Sequence, residues 1–247
     1  MELVVLGAGP AYTNRPGAAG SAYLLRHEDR NIVLDLGQGV FPRLAGELDP
    51  EDLLAVAVSH LHPDHFIDVV PLRHYLVYEC RPARRVTVRA PAALEARLDA
   101  LVGEPGFARS ALEILPLRGG TLEFGPFTLQ ASLVTHTDES YGFRVATGDG
   151  PGLVYSGDCG RADDLRDLVR PGDTLLCEVS FGPGPVPEGA LHLDAPAVAG
   201  LARDARAGRV LLTHLQMGFD AGETERAVRA AFDGDVRFVW PGDRLTV

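Results

Sequence analysis

Three histidines and one aspartate lie within six residues of each other, in the segment SHLHPDHF at 59–66. Imidazole and carboxylate groups such as those of His60, His62, Asp64 and His65 bind Zn²⁺, Fe²⁺ or Mn²⁺ in proteins. The segment begins where the apolar run LLAVAVSH ends, and that run predicts a buried strand. A polar surface loop has no need of four such groups directly behind a buried strand. We therefore expect this segment to bind metal.

Three further residues of the same types end predicted strands later in the chain. His136 ends ASLVTH, Asp158 ends LVYSGD and His214 ends RVLLTH. If these strand ends lie at one edge of the sheets, their side chains converge with the first cluster on a single cleft. His27 also ends a strand-like run, and we assign it to a surface turn.

The number of candidate ligands predicts two metal ions. A tetrahedral zinc ion needs four ligands, and two ions that share a bridging carboxylate would use more. In an extended segment His60 and His62, two residues apart, point the same way, while Asp64 and His65 project from the following helical turn. One loop can therefore serve two adjacent metal positions. The seven candidates are His60, His62, Asp64, His65, His136, Asp158 and His214.

Short apolar runs bounded by Gly, Pro or polar turns predict the strands that position these groups. Such runs occupy 3–9, 21–27, 31–37, 53–60, 85–90 and 111–117, and a hairpin is predicted around Gly125-Pro126. Helical spacing predicts a helix over 64–79, which Pro63 begins and Pro71 kinks. The last third alternates between strands and helices, with helices predicted at 162–169, 195–205 and 223–232. An additional helix is predicted at 92–102.

A strand-rich half followed by strands with interleaved helices predicts two packed sheets with helices outside. Residues 1–247 contain no linker, repeat or low-complexity tract, so they are expected to form a single domain. The composition, with 46 % hydrophobic and 23 % charged residues, is ordinary for a soluble globular protein.

The charge and cysteine content limit the partners and the compartment. A formal net charge of -11 opposes the binding of nucleic acid. Cys80, Cys159 and Cys177 suggest no disulfide framework and fit a reducing compartment. The N-terminal MELVVLGAG lacks the basic region of a signal peptide, and no apolar run approaches the ~18 residues of a membrane span. These features predict a cytoplasmic protein without a membrane partner.

The segment HLHPDH at 60–65 resembles the His-x-His-x-Asp-His signature of the metallo-β-lactamase superfamily. THT, SGD and LTH follow it in the order of that family, and the resemblance covers essentially the whole chain. It implies an α/β fold of the αββα type, in which two mixed β-sheets are flanked by helices. It also implies two metal ions bridged by Asp158, with His60, His62 and His136 on one ion, and Asp64, His65 and His214 on the other.

LCEVSF and the segment from His192 to the LTHL motif are similar to the ribonuclease Z branch and its cyclic-nucleotide phosphodiesterase relatives. In that branch a glutamate and a histidine at these places support catalysis, and here they are Glu178 and His192. The chain departs from the branch in His192-Leu193-Asp194, where ribonuclease Z usually has His-Ser-Thr. It also lacks a basic tRNA-binding arm, because residues 137–156 read as two adjoining strands.

This likeness implies a dinuclear zinc phosphodiesterase that attacks small or cyclic phosphodiesters with a metal-bridging hydroxide. Asp64 would take part through its metal ion, His192 would protonate the leaving oxygen, and Glu178 would orient His192. Asp35, at the end of NIVLDLG, is expected to hydrogen-bond a ligand histidine. The partner is expected to be an anionic small molecule and not tRNA.

Several alternatives stay open at this point. They are a ribonuclease Z-like RNase, a lactonase or glyoxalase-like hydrolase, and a non-catalytic metal-bound scaffold, which the complete ligand set opposes. Mn²⁺ or Fe²⁺ could replace zinc, and a homodimer is compatible with the sequence. Simpler roles also exist for individual residues. Asp35 could cap a turn, Glu178 could satisfy backbone donors and His192 could cap the next helix. Asp68 is interpreted as an exposed helix residue, and His74 as a helix-surface or packing residue.

Overall fold

Two β-sheets of seven strands each pack face to face in the computed structural model, which describes residues 1–82 and 84–247. The strands are, in chain order, β1 (Glu2–Gly7), β2 (Ala22–His27), β3 (Arg30–Leu34), β4 (Leu53–Ala57), β5 (Val86–Ala90), β6 (Leu112–Pro116), β7 (Gly120–Phe124), β8 (Phe127–Leu133), β9 (Tyr141–Ala146), β10 (Leu153–Tyr155), β11 (Thr174–Glu178), β12 (Arg209–Thr213), β13 (Asp235–Phe238) and β14 (Arg244–Thr246). The first sheet has the order β14-β1-β2-β3-β4-β5-β6, and the second has the order β13-β12-β11-β10-β9-β8-β7. Among the described strands, β14 alone returns from the second half of the chain to the first sheet.

Helices cover the outer face of each sheet. Leu72 and Leu76 pack in one outer core with Val88 of β5, while Val198 packs in the other with Val210 of β12. This arrangement confirms the αββα sandwich that the resemblance implies. The helices are α1 (Phe41–Glu47), α2 (Pro63–Phe66), α3 (Val69–Tyr78), α4 (Leu94–Val102), α5 (Ala195–Asp204) and α6 (Ala221–Arg229).

A third apolar layer lies between the two sheets. Tyr23 of β2 and Tyr155 of β10 meet there, with ring centroids 4.9 Å apart. Leu24, the neighbour of Tyr23, packs into the outer core, while Leu25 returns to the central layer. Because both faces of such strands are buried, their sequences are continuously apolar and show no alternation.

The parallel strands carry most of the candidate ligands beyond their carboxyl ends. β3 to β6 run parallel in the first sheet, and β10 to β13 run parallel in the second. His214 follows β12 directly, whereas His60 and Asp158 lie three positions beyond the ends of β4 and β10. His136 likewise follows the antiparallel strand β8 after two intervening residues. The strands predicted from the sequence are therefore longer at their carboxyl ends than the strands of the structure.

The helix predicted over 64–79 is divided into α2 and α3, and α3 includes Pro71 without interruption. Pro63 is the first residue of α2, as predicted, where a missing N–H group costs nothing. Pro71 lies in the first turn of α3, so its missing N–H group likewise removes no hydrogen bond from the helix. The break between the helices lies at Ile67 and Asp68.

Asp68 is buried, which corrects its interpretation as an exposed helix residue. Its Oδ2 accepts hydrogen bonds from the backbone N–H groups of Val40 and Phe41, both at 2.7 Å. These groups begin α1 and have no partners within that helix. Asp68 therefore joins α1 to the segment that follows the histidine cluster. His74 is exposed on α3, as expected.

The prediction of an α-helix at 162–169 is wrong, because this segment forms only a 3₁₀ turn, at Ala162–Leu165. Asp164 Oδ2 accepts the backbone N–H of Thr135 at 2.7 Å, which ties this turn to the loop carrying His136. The hairpin around Gly125-Pro126 is confirmed. Among residues 1–82 and 84–247, no helix combines the length and the apolar character that crossing a membrane requires.

Candidate metal centre

The candidate ligands that follow β4 project from two backbone conformations, one extended and one helical. His62, directly before α2, has an extended backbone with φ -82° and ψ 143°. Asp64 and His65 lie in α2, which begins at Pro63. This agrees with the change of backbone that the spacing predicted. Gly37 lets the β3–α1 loop approach α2 closely, because a Cβ at that position would lie 1.9 Å from the carbonyl oxygen of Asp64.

The first cluster contains three histidines and one oxygen of Asp158. His62 Nδ1 lies 3.1 Å from His60 Nε2 and 3.1 Å from His136 Nε2. Asp158 Oδ2 lies 3.7 Å from His60 Nε2 and 3.6 Å from His136 Nε2. Four potential ligand atoms therefore surround one point.

The second cluster contains Asp64, His65, His214 and the other oxygen of Asp158. His214 Nε2 lies 3.2 Å from Asp64 Oδ2 and 3.4 Å from His65 Nε2. Asp158 Oδ1 lies 3.3 Å from His65 Nε2 and 3.4 Å from His214 Nε2. Because its two oxygens face different clusters, Asp158 has the geometry of a bridging ligand.

The separations of these atoms fit tetrahedral metal ions. Zinc–nitrogen bonds of about 2.0–2.1 Å place the corners of a tetrahedron roughly 3.4 Å apart. The observed separations range from 3.1 Å to 3.7 Å. Asp158 Oδ1 is also buried and accepts no hydrogen bond from any described residue, although two imidazole nitrogens are near. A buried, unpaired carboxylate oxygen of this kind calls for a cation. The residues present therefore fit a divalent ion in each cluster.

The two clusters differ in the protonation of their histidines. Burial lowers the pKa of His60, and it also lowers the pKa values of His62 and His136. These imidazoles are neutral near pH 7, which is the form that binds metal. Burial is the largest single influence on His65 and His214 as well and acts to lower their pKa values, but the charges and hydrogen bonds of the surrounding carboxylates, Asp158 first among them, together raise both. Metal binding at the second cluster must therefore release protons.

Asp35 holds His65 from behind, in the position that the sequence predicted. Its Oδ2 lies 2.7 Å from His65 Nδ1, which leaves Nε2 of that ring facing the second cluster. Asp35 is itself buried and accepts hydrogen bonds from Ser59 N at 2.6 Å and from Tyr155 Oη at 2.7 Å. Sequence reasoning missed Ser59 and Tyr155. Tyr155 is far from Asp35 in the chain, and no local pattern relates the two residues.

Backbone strain coincides with these residues. Asp35 has φ +58° and His214 has φ +57°, a left-handed conformation that is costly for side chains with a Cβ. Such strain persists where the surrounding structure enforces it, and it concentrates at functional sites. Its hydrogen bonds hold Asp35 in this left-handed conformation. For His214, the hydrogen bond from its backbone N–H to Ala8 O, at 3.0 Å, does the same.

We expect Asp35→Asn to weaken metal binding at the second cluster by about 10- to 100-fold, because the ring of His65 loses the carboxylate that orients it. Competition with a chelator measures the affinity of each metal equivalent. Asp173→Asn is the matched control, since Asp173 is equally buried but pairs with Arg144 at the opposite end of β11. Unchanged metal affinity in Asp35→Asn, or an equal loss in the control, would contradict this role.

His192 lies over both clusters but is held by a different partner. Its ring stacks on that of His214 at 6.0 Å and lies 4.8 Å from the ring of His136. Its Nδ1 donates to Glu178 Oε1 at 2.9 Å. The next helix is capped by Asp194, whose side chain accepts from Ala197 N at 3.0 Å. The structure therefore opposes the alternative in which His192 caps α5.

The hydrogen bonds of Glu178 are compatible with both roles that the sequence left open. It is buried, and it accepts hydrogen bonds from the backbone N–H groups of Cys159 at 2.8 Å and Ser180 at 3.1 Å. The same carboxylate also holds His192. Glu178, His192 and His214 are close enough to form a third group of potential ligands. Because the carboxylate already has these donors, we assign Glu178 to orienting His192 and not to a metal ion.

Comparisons with known proteins agree with this geometry. The family described as "Beta-lactamase superfamily domain" matches residues 30–215. The uncharacterized protein ML1173 of Mycobacterium leprae is 32 % identical over 255 residues, which cover 100 % of this chain and 89 % of that protein. The probable metallo-hydrolase YhfI of Bacillus subtilis is 26 % identical over 252 residues, covering 98 % of this chain and 100 % of YhfI.

Solved structures show the same fold. The crystal structure of YhfI from Bacillus subtilis has a TM-score of 0.87 at 24 % identity, covering 99 % of each chain. A diphosphatase of the PhnP family has a TM-score of 0.76 at 19 % identity, covering 100 % of this chain and 97 % of its own. The short form of human tRNase Z has a TM-score of 0.73 at 20 % identity, covering 100 % of this chain and 99 % of its own.

Proposed function

Because the chain belongs to the β-lactamase superfamily, we propose that it is a metal-dependent hydrolase that binds two zinc ions and cleaves small phosphodiesters. The observation that carries this proposal is the position of His192, a histidine above both clusters that Glu178 holds through Nδ1. A diphosphatase and a tRNase among the structural neighbours support a substrate with phosphorus–oxygen bonds. Mn²⁺ or Fe²⁺ would fit the same ligands.

Two divalent ions, when bound, would activate water near neutral pH and neutralise charge on a phosphoryl group. His60, His62 and His136 would hold one ion and Asp64, His65 and His214 the other, with Asp158 shared. The chain supplies the remaining chemistry through His192, whose Nε2 would donate a proton to the leaving oxygen. Glu178 would keep that ring oriented and charged.

The connection between β8 and β10 favours a small substrate. Residues 134–152 contain β9 and its turns, and they leave no room for the tRNA-binding arm of ribonuclease Z. A net charge of -11 also opposes a long polyanion, whose affinity depends on basic contacts with phosphates. A phosphodiester with small substituents avoids both problems.

The zinc-loaded protein is expected to hydrolyse bis-p-nitrophenyl phosphate and to act little on β-lactams, lactones or thioesters. Release of p-nitrophenolate measures the first reaction, and metal-stripped protein is the control. A precursor tRNA offered at physiological salt should stay intact. Faster cleavage of a lactone or thioester than of any phosphodiester would move the function to another class, and accurate tRNA cleavage would contradict the proposed size limit.

A further inference from the structure

Ser180 carries a fully buried hydroxyl that lies between the second cluster and the candidate acid. The residue is two positions beyond the end of β11, which pairs in parallel with β12 so that Glu178 is opposite Thr213. The pairing continues past the strand, because the backbone N–H of Val179 donates to Thr213 O at 3.0 Å. This register places Ser180 beside His214, which follows β12 directly.

The Ser180 hydroxyl has a carboxylate on one side and an imidazole on the other. Its Oγ lies 2.5 Å from Glu178 Oε2 and 3.1 Å from His214 Nδ1. The single hydroxyl hydrogen is donated to the carboxylate, which is closer and more strongly accepting than the carbonyl oxygen of His214 at 3.2 Å. The lone pairs of Oγ then accept from His214 Nδ1–H. The proton on Nδ1 leaves Nε2 of this ring as the nitrogen that faces the second cluster.

This hydroxyl holds His214 in a different way from the one in which Asp35 holds His65. A histidine that binds metal is fixed by the hydrogen bond that its other ring nitrogen donates. For His65 the acceptor is a carboxylate, whereas for His214 it is the neutral oxygen of Ser180. A hydroxyl accepts more strongly when its own hydrogen is held by an anion, because hydrogen bonds in a chain polarise one another. The hold on His214 therefore depends on Glu178.

The other oxygen of the same carboxylate holds the candidate acid. Glu178 Oε1 accepts from His192 Nδ1 at 2.9 Å, and that nitrogen lies 3.3 Å from Ser180 Oγ as a secondary contact. Hydrogen bonds thus connect a ligand of the second cluster to the group expected to donate the proton. We call this chain the Ser180 relay, and its members are His214, Ser180, Glu178 and His192.

We propose that Ser180 is a positioning residue that couples metal binding at the second cluster to the orientation of His192. This inference rests on the proposed function and adds a regulatory property to the same site. With its Nε2 bound to a cation, the ring of His214 donates more strongly from Nδ1, and the relay tightens as far as Glu178. Coupling between two sites is reciprocal, so the intact relay must also favour the cation. The acid is therefore held best when the second cluster is occupied.

Ser180→Ala should weaken one of the two zinc equivalents by about 10- to 100-fold, because His214 loses the acceptor that orients it. Competition with a chromophoric chelator measures both equivalents without any assay of activity. Ser180→Cys keeps the volume of the side chain but forms only weak hydrogen bonds, and it serves the same purpose if the alanine variant does not fold. Unchanged zinc affinity in both variants would overturn the proposal.

Thr224→Ala is the matched control for removing a buried hydroxyl. Thr224 is as buried as Ser180, and its Oγ1 donates to Asp220 O at 2.7 Å within α6. This control should keep the wild-type affinity for both zinc equivalents. An equal loss in the control would assign the effect of Ser180→Ala to general destabilisation and would overturn the proposal.

A double-mutant cycle tests the coupling itself. Glu178→Gln keeps the size of the side chain but removes the charge that polarises the Ser180 hydroxyl. It should weaken the same zinc equivalent by about tenfold in the wild-type protein and cause no further loss in Ser180→Ala. Additive losses would show that Glu178 acts on the ion without Ser180, and would overturn the relay.

The acid end of the relay has a separate readout. At zinc concentrations that saturate both clusters, Ser180→Ala should still lower kcat by about tenfold for substrates with a poor leaving group, because His192 is less well oriented. The fall should be much smaller for p-nitrophenyl esters, which need little protonation of the leaving oxygen. Equal falls for both kinds of substrate would contradict the coupling to the acid.

The relay and the proposed function fail in different ways. Non-additive zinc losses in a protein that hydrolyses no phosphodiester would overturn the proposed function and support the relay. Hydrolysis of phosphodiesters with additive zinc losses would overturn the relay alone.

Discussion

Asp158→Ala is expected to remove the shared ligand of both metal ions, and to lower kcat/KM by more than about 10³-fold. Each oxygen of Asp158 faces one cluster, so the substitution leaves both with an incomplete set of ligand atoms. It also removes the carboxylate whose charge helps to raise the pKa values of His65 and His214. Elemental analysis of the purified protein should fall from about two metal equivalents per chain to one or fewer.

Asp158→Asn is the matched variant, since it keeps the volume of the side chain and loses its charge. It should retain more metal than the alanine variant and still lose most of the activity, because an amide is a poor bridge between two cations. An alanine variant with one metal equivalent and wild-type activity would rule out the bridging role. Two firmly bound equivalents in that variant would rule it out as well.

His192→Ala is expected to keep both metal ions and to lose about 10²- to 10⁴-fold in kcat for substrates with a poor leaving group. An alkoxide must be protonated as it leaves, whereas p-nitrophenolate needs little protonation. The loss should therefore be much smaller for p-nitrophenyl esters. Metal analysis together with a series of leaving groups measures both effects. Loss of a metal ion would exclude this role, and equal losses along the series would favour an electrostatic role.

The pH dependence gives this prediction a second readout. Burial lowers the pKa of His192, but the hydrogen bond and the charge of Glu178 raise it to about 9. The protonated acid then persists through neutral pH, and the rate with poor leaving groups should fall as the pH rises through about 9. Glu178→Gln removes the charge that raises this pKa, so the fall should move to lower pH. An unchanged alkaline limb in that variant would contradict the pairing.

The ligand positions could be predicted from the sequence because the information for them is local. His60, His62, Asp64 and His65 lie within one segment, where the change from extended to helical backbone separates them into two clusters. The structure brings all seven predicted ligands together, although their binding of metal stays a prediction. The αββα sandwich followed from strand and helix patterns combined with the resemblance.

The remaining parts depend on contacts between distant segments. Nothing near Tyr155 in the sequence indicates that its hydroxyl donates to Asp35, because this contact forms only when the sheets pack together. Asp68 was assigned to the surface since its partners, the first N–H groups of α1, lie more than 25 residues earlier. Periodicity within one segment cannot reveal such relations.

The common edge of the sheets also determines when this site can exist. Its residues come from positions between 35 and 214, so no short fragment of the chain contains them all. Contacts between such distant residues make folding slow, because long loops must close before the contacts repay their entropy. A metal ion that needs ligands from both sheets will stabilise only states in which the sheets have already docked. Metal should therefore slow unfolding far more than it accelerates folding, and so lengthen the lifetime of the native state.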